Sequence, residues 1–206
     1  LFANFTNSFT GEIIFVLKNS GFKVNNIIVW RRTNSVPNLT RRVFTHSTEF
    51  IVWAVKGKGW KFNYDELKKL NPERRKDGDL KQMRDVWDIG LVQGGERLRK
   101  SDGKALHPTQ KPEELLRRII VASSSQGDIV LDPFFGSGTS GVVAKRLGRY
   151  FIGIEKNKRY INAARKRLAC VRSVGVLVSK KAGKLRYHDL NHDIKDSRVK
   201  FGYLVM

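Results

Sequence analysis

The chain has 206 residues, and its 40 Lys and Arg residues against 19 Asp and Glu residues give a formal net charge of +21. An excess of this size favours a polyanionic partner, with nucleic acid as the first candidate. The hydrophobic content of 40% excludes a disordered basic tail, and the single cysteine, Cys170, excludes a disulfide framework and a cysteine-rich zinc site. No apolar run is long enough for a membrane span and no signal peptide is visible, so we expect a soluble, intracellular protein.

The N-terminal quarter of the chain predicts a helix followed by two strands. Residues 12–17 have a helical pattern that ends at Asn19-Ser20-Gly21, a sequence typical of a helix end. Residues 24–31 and residues 49–55 are rich in β-branched and aromatic side chains, which favours two strands. We expect these strands to pair as neighbours, with the polar and basic loop 32–48 between them.

Regular periodicity is lost between residues 56 and 106, where glycines are scattered among charged residues. A stretch of this length without periodicity is typical of a functional segment rather than of a simple connector. We therefore interpret residues 56–106 as an insertion that follows a first region, 1–55.

The second half of the chain alternates helices with short strands, which predicts an α/β architecture with a Rossmann-like parallel sheet. The predicted elements are a helix over 113–123, a strand over 129–132 of the type buried on both faces, a helix over 139–147, a strand over 150–155 and a helix over 158–168. We assign residues 107–169 to this β-α-β-α region. Residues 170–206 show no long-range pattern, and we interpret them as a small basic appendage.

A glycine-rich loop follows the strand over 129–132 and contains the pattern G-x-G-x-x-G from Gly136 to Gly141. Glu155 lies 19 residues after Gly136, at the end of the next strand, where an acid can accept hydrogen bonds from ribose hydroxyls. This spacing is compatible with a dinucleotide. Asp132, however, would repel a pyrophosphate and attract an ammonium or sulfonium group. A cationic ligand with a ribose, such as S-adenosylmethionine, is favoured; a dinucleotide and a tight turn with solvated acids are the alternatives.

Several strings resemble the cofactor motifs of the β-class amino-methylating DNA methyltransferases. DPFFGSGTSG and FIGIE match two of these motifs, and HPTQKP upstream matches the third in circularly permuted order. The stretches FNYDELKKLN, QMRDVWDIG and GGERLRKSDGKALHPTQKPEELL resemble the subgroup that methylates adenine N6 in GANTC. The resemblance covers roughly residues 23–168. It implies a permuted, Rossmann-like S-adenosylmethionine-dependent methyltransferase fold, N-terminally incomplete, in which 1–55 is half of the target-base region and 56–106 is a target-recognition insertion.

The resemblance also implies a role for each matched residue of the cofactor motifs. Asp132 would contact the methionine amino group, Glu155 would hold the ribose hydroxyls and Lys111 would meet the methionine carboxylate. The two phenylalanines would wall the site, and the first two glycines would let the backbone approach the ligand. The implied cofactor residues are His107, Thr109, Lys111, Asp132, Pro133, Phe134, Phe135, Gly136, Ser137, Gly138, Thr139 and Glu155.

The catalytic motif of this family, Asp-Pro-Pro-Tyr or a near variant, is absent, because no two of the five prolines are adjacent. An exocyclic amine is a poor nucleophile and has to be held by acceptors and an aromatic platform after base flipping. In the permuted order the motif precedes the helix that ends near Gly21. We therefore expect it upstream of Leu1, with no catalytic residue in this chain and no activity of the chain as it stands. Cys170 lies outside the cofactor region and lacks a neighbouring proline, which excludes cytosine-C5 chemistry.

Candidate DNA contacts lie in the loop 32–48 and in the insertion. Arg, Asn and Gln side chains contact base edges in the major groove, whereas Lys mostly contacts phosphate. The candidates are Arg31, Arg32, Asn34, Asn38, Arg41, Arg42, Lys81, Gln82 and Arg84. A solvated charged face is the alternative for each of them. For His46 and Glu49 we prefer a structural hydrogen bond at the strand start, and Trp60 and Trp87 are the two tryptophans that stay open as base-stacking platforms.

These patterns predict a site-specific methyltransferase that moves a methyl group from S-adenosylmethionine to adenine N6 in duplex DNA, with GANTC as the candidate site. A non-catalytic DNA-binding remnant and an RNA methyltransferase stay open, and adenine N6 is not separated from cytosine N4. Duplex DNA is the expected partner, and a homodimer and a cognate restriction endonuclease fit the resemblance. It also implies a bacterial-type cytoplasm, at the nucleoid, with no metal and no membrane.

Overall fold

The computed structural model describes residues 1–5, 9–171, 177–181 and 184–188. It divides into two compact units, Leu1–Val92 and Gln93–Met206, and each is described by itself.

The first unit is built on a four-stranded sheet in the order β1-β3-β2-β4. Its strands are β1 (Phe2–Phe5), β2 (Lys23–Arg31), β3 (Thr48–Val55) and β4 (Val86–Asp88). β3 pairs antiparallel with both β1 and β2, which confirms the predicted pairing of the two long strands, and β4 runs parallel to β2.

Apolar side chains on both sides of this sheet form the core of the first unit. Trp30, Ile51, Val52 and Ala54 have no solvent exposure. Helix α1 (Thr10–Asn19) buries Leu17 against the last two of these residues. The predicted helix and strands are therefore present. Successive side chains of a strand point to opposite faces of the sheet, and this alternation explains which of them enter the core.

Regular structure is also present in the stretch where the sequence predicted none. Helix α2 (Tyr64–Leu70) lies there, and β4 adds a strand to the main sheet. In β4 only Trp87 is buried, between exposed neighbours. Three residues are too few for a periodic pattern, and the strand exists through its pairing with β2, so local sequence could not indicate it.

The second unit has the predicted α/β order. Its elements are a 3₁₀ turn (Gly94–Glu96), α3 (Glu113–Ser123), β5 (Ile129–Asp132), α4 (Thr139–Arg146), β6 (Tyr150–Gly153), α5 (Lys158–Cys170), β7 (Leu177–Lys181) and β8 (Lys184–His188). β5 and β6 pair in parallel, and β7 and β8 form an antiparallel hairpin.

One face of the β5–β6 pair is covered and the other is exposed. Val130 and Phe151 pack on the core formed by α3 and α4. Ile129, Leu131 and Ile152 point to the opposite face and are exposed. The expectation that β5 is buried on both faces is therefore wrong for the described part of the chain, in which side-chain alternation leaves every second residue of the strand uncovered.

Within the described residues, no helix combines the length and apolarity that a membrane crossing requires. The same residues contain no group of three or more His, Cys, Asp or Glu side chains that could hold a metal ion. Of the predicted appendage, residues 172–176, 182–183 and 189–206 lie outside the described residues.

Candidate functional site

The glycine loop between β5 and α4 depends on two glycines in the left-handed region. Gly136 has φ 52° and Gly138, the residue that caps α4, has φ 79°. A Cβ atom would lie 2.9 Å from His107 Nε2 at the first position and 2.7 Å from the Cβ of Ala164 at the second. Both the backbone conformation and the space therefore require glycine at these positions.

The Asp132 carboxylate is fixed at the end of β5 by two hydrogen bonds. Oδ1 accepts from the backbone N–H of Phe134 at 3.0 Å, and Oδ2 accepts from the hydroxyl of Ser140 at 2.5 Å. The carboxylate is thus held at the strand end on the glycine loop. Ser140 is a supporting residue that the sequence analysis did not single out.

Glu155 connects the end of β6 to the glycine loop. Its Oε2 accepts from the backbone N–H of Gly136 at 2.9 Å, and its Oε1 accepts from the N–H of Asn157 at 2.8 Å. A carboxylate has about four acceptor positions, so each of the two acids keeps positions for a further donor. Two fixed carboxylates beside a glycine backbone suit a ligand that carries a cationic group and hydroxyls.

The two phenylalanines of the loop point in different directions. Phe134 is 89% exposed. Phe135 instead stacks on Phe151 with ring centroids 5.7 Å apart, and lies so close to Gly153 that a Cβ atom there would be 2.4 Å from its ring. Phe135 is therefore a packing residue beneath the loop, and Phe134 alone is left as an exposed wall.

The remaining loop residues are divided in the same way between surface and interior. Pro133 is exposed, whereas Ser137 and Thr139 are buried. Arg167 of α5 donates from Nη1 to the carbonyl of Ser137 and to the hydroxyl of Thr139, both at 3.0 Å, and from Nη2 to Glu113 at 2.9 Å. This arginine fixes the inner side of the loop.

The HPTQKP segment places His107 beside the glycine loop. The imidazole ring packs at 4.5 Å against Tyr160, and its Nδ1 accepts from the backbone N–H of Thr109 at 3.3 Å. Thr109 is exposed and Lys111 is half-buried. Gln110 is buried and holds the segment to the chain before it, since its amide donates to the Glu96 carbonyl at 2.7 Å.

Tyr160 and Arg167 were not predicted as site residues. They lie seven residues apart on α5, so they share one helix face. That spacing was the signal available in the sequence, but the many charged residues of α5 favoured the interpretation that these side chains face solvent.

Burial is the main cause of a lowered pKa at His107. The Glu155 carboxylate opposes this effect by raising the pKa, and the positive charges of Arg97 and Lys111 lower it further. The Nδ1 atom accepts a hydrogen bond, which assigns the neutral ring its proton on Nε2.

The lowered pKa predicts a loss of stability in mild acid. Below the ordinary histidine pKa of 6.5 the unfolded chain takes up a proton that folded His107 resists, so the free energy of unfolding falls as pH drops from 6.5 towards the folded pKa. Above this range His107 contributes no pH dependence. We expect urea unfolding of His107→Gln at about pH 8 and about pH 5.5 to show a smaller acid loss than the parent chain. Equal losses in both proteins would contradict the burial argument.

Two of the predicted DNA contacts, Arg31 and Arg32, form bonds within the protein at the ends of strands. Arg31 forms a bidentate ion pair with Asp88, in which Nε donates to Oδ1 at 2.6 Å and Nη2 donates to Oδ2 at 2.5 Å. Arg32 donates to the backbone carbonyl of His46 and lies 3.5 Å from Glu49. Arg32 is thus a common partner of His46 and Glu49, and a hydrogen bond between these two residues stays a prediction.

Asn34 and Asn38 shape the loop between β2 and β3. Asn34 exchanges hydrogen bonds with the backbone of Leu91, at 3.2 and 2.6 Å, and Asn38 Oδ1 accepts from the N–H of Arg41 at 3.1 Å. Arg41 and Arg42 are exposed, and within the described residues their side chains have no hydrogen bond or ion pair. They are the cations of this loop that are free to meet a ligand.

The candidates after α2 surround one carboxylate. Glu73 accepts from Arg84 at 2.6 Å with each oxygen and lies 3.5 Å from Lys81. The side-chain hydrogen bond from Arg84 is the main cause of a lowered pKa at Glu73. Gln82 is exposed. Glu73 therefore occupies Nη2 of Arg84, and the Nε and Nη1 donors of this exposed side chain are left for a ligand.

The two open tryptophans have different environments. Trp87 is buried, and its indole N–H donates to the carbonyl of Arg84 at 2.7 Å, so it is a core residue and the stacking interpretation is wrong for it. Trp60 is exposed, with Lys23 Nζ 5.5 Å from its ring centroid.

The DNA methylase family model N6_N4_Mtase matches residues 1–166, and the chain belongs to this family. It is 54% identical over 155 residues to the Type II methyltransferase M2.DpnII of Streptococcus pneumoniae, an alignment covering 74% of this chain and 53% of the relative. It is 52% identical over the same length to M2.LlaDCHI of Lactococcus lactis subsp. cremoris, with the same two coverages. The chain thus spans about half the length of the curated relatives it matches.

Solved structures show the same fold. The M1.HpyAVI complex with SAM is similar with a TM-score of 0.63 and 37% identity, covering 81% of this chain and 72% of that chain. The cytosine-N4-specific PvuII DNA methyltransferase, at 20% identity and a TM-score of 0.60 over 75% of this chain and 54% of its own, supports the fold alone.

Proposed function

We propose that the protein binds S-adenosylmethionine at the glycine loop and transfers the methyl group to N6 of adenine in duplex DNA. The observation that carries this proposal is the pair of carboxylates, Asp132 and Glu155, at the ends of two parallel strands and both bonded to the loop backbone. Membership of the DNA methylase family and the likeness to the M1.HpyAVI complex with SAM support it.

The residues present fit this cofactor. Asp132 attracts the ammonium and sulfonium charges, Glu155 accepts from the ribose hydroxyls, and the loop glycines allow the backbone to approach. His107 and Phe134 line the same loop. The bound cofactor supplies an electrophilic methyl group. A pyrophosphate at this loop would meet the Asp132 carboxylate, which disfavours the dinucleotide alternative.

The protein's part in methyl transfer is to hold the donor and to present the amine. Positioning and electrostatic stabilisation supply most of the rate in such reactions. The residues assigned here hold the donor. We assign no catalytic residue within this chain, and the chain as printed is expected to bind the cofactor without transferring its methyl group.

DNA binding rests on the basic surface of the first unit in this proposal. Arg41 and Arg42 are the free cations of the loop between β2 and β3, and Arg84 adds the donors that Glu73 does not occupy. The curated relatives are Type II methyltransferases, so a cognate restriction endonuclease acting on the same site belongs to the proposal. GANTC is the recognition sequence we propose to test first.

The test uses tritiated S-adenosylmethionine and separates the alternatives by product. The 206-residue chain, and a version extended at its N-terminus by a segment that carries Asp-Pro-Pro-Tyr, are incubated with duplexes containing GANTC, with a pool covering adenine in other contexts, and with RNA of the same sequences. We expect label in DNA as N6-methyladenine after digestion and chromatography. Label recovered as N4-methylcytosine would make cytosine the target base, and label in RNA would make RNA the substrate; either result would contradict the proposal. Binding of cofactor and DNA without any methyl transfer would support the alternative of a non-catalytic DNA-binding remnant.

A further inference from the structure

The loop between β2 and β3 exposes large apolar side chains beside its free arginines. Phe44 is 97% exposed, Leu39 88% and Val36 71%. Single exposed apolar residues are ordinary on a protein surface, but several large ones in one loop, beside unpaired arginines, indicate a candidate interaction site. A ligand for this loop would have to accept both apolar and cationic groups.

The loop is held in a defined shape, so the exposure is a property of its fold. Its ends are tied by the hydrogen bond from the Arg32 backbone N–H to the carbonyl of Ser47 at 2.7 Å and by the Asn34 bonds to Leu91. At its tip Arg41 adopts φ 55°, the left-handed conformation. The turn presents the tip residues outward. Among the described residues, nothing covers the ring of Phe44.

The charge of the loop identifies the class of ligand. Residues 32–48 contain three arginines and no Asp or Glu. An aromatic ring between cations matches a nucleobase flanked by phosphates, because the ring stacks on the base and the guanidinium groups contact the backbone. A methyltransferase acting on an exocyclic amine has to take its target out of the stack, and this leaves neighbouring bases exposed.

We infer that the tip of this loop, residues 36–45, engages unstacked DNA bases, with Phe44 stacking on a base and Arg41 and Arg42 contacting the adjacent phosphates. This inference rests on the proposed function. The base comes either from an opened step of a duplex or from a single strand, and both present the same aromatic face.

The experiment compares two exposed phenylalanines in the 206-residue chain. Phe44→Ala is paired with Phe15→Ala, which removes a ring that is 66% exposed on α1 outside the loop. Loss of one base stack costs about 1–3 kcal/mol, so we expect Phe44→Ala to weaken DNA binding by about 5- to 150-fold. Phe15→Ala and Phe44→Trp are expected to bind within about threefold of the parent. Duplex and single-stranded oligonucleotides carrying 2-aminopurine report the stacking by fluorescence.

The salt dependence separates the ring from the arginines. Arg42→Ala should reduce the slope of log affinity against log salt by about one, whereas Phe44→Ala should leave the slope unchanged. A larger loss on duplex indicates insertion into a base step, and equal losses indicate stacking on a free base; both support the inference.

Equal effects of Phe44→Ala and Phe15→Ala on DNA affinity would overturn the inference. If the parent chain still bound DNA in a salt-dependent manner, the proposed function would stand. Self-association of the parent that Phe44→Ala abolishes, with unchanged DNA affinity, would make the loop an interface between copies and also overturn it. Absence of any DNA binding by the parent chain would overturn the proposed function and the inference together.

Discussion

Replacement of Glu155 by alanine is expected to weaken S-adenosylmethionine binding by about 100-fold or more. In the proposed site this carboxylate accepts from two ribose hydroxyls, and hydrogen bonds to a charged group contribute roughly 1.5–3 kcal/mol each. Each 1.4 kcal/mol or so changes affinity tenfold. Alanine also removes the acceptor for the Gly136 N–H, at 2.9 Å, and so releases the glycine loop. Calorimetric titration of the 206-residue chain measures the loss.

Two further variants control this experiment. Glu155→Gln keeps the side-chain size and one neutral acceptor, so its affinity should lie between those of the parent and the alanine variant. Glu66→Ala removes an exposed carboxylate of α2 and should leave binding unchanged. Binding of the alanine variant within about twofold of the parent would exclude the ribose role. Tighter binding of NAD than of S-adenosylmethionine by the parent would support the dinucleotide alternative.

Replacement of Gly153 by alanine is expected to lower the free energy of unfolding by about 1–3 kcal/mol, the range found for overpacked cores. The new Cβ would lie 2.4 Å from Phe135 Cγ and within 2.7 Å of two more ring atoms. The ring has little room to move, because it stacks on Phe151 and a Cβ at Gly141 would lie 2.5 Å from it. Urea unfolding followed by circular dichroism measures the change.

Gly95→Ala is the matched control for this substitution. Its new Cβ would have no neighbour within 4 Å, so its stability should equal that of the parent. In a Phe135→Leu background the cost of Gly153→Ala should shrink, because the clashing ring is gone. Equal costs at the two glycines, or no coupling to Phe135, would exclude the clash as the cause.

Local sequence predicted the elements whose signals lie within the element itself. Helix α3 has the predicted bounds because its apolar periodicity extends over three turns and Pro112 precedes it. Strand β4 was missed because it depends on pairing with β2, more than fifty residues away in the chain. The exposed face of β5 was missed because an apolar run predicts burial but does not indicate which elements cover each face of the strand.

The candidate site was predictable where strand ends determine it. Asp132 and Glu155 lie together because parallel strands end at the same edge. The different directions of Phe134 and Phe135 could not be predicted, since glycines in two separate segments, 138–141 and 153, leave the space that the Phe135 ring occupies. Charge alone did not reveal that Arg31 is paired with Asp88, which lies 57 residues further along the chain.

The boundary after Val92 divides the proposed roles between two stretches of sequence. Every residue proposed to hold the methyl donor follows Gln93, and every residue proposed to contact DNA precedes it. Under these roles, the preference for a target sequence and the capacity to use the donor are inherited through separate segments of the gene. Recombination near this boundary would then exchange one target sequence for another between relatives while it transmits an unaltered donor site.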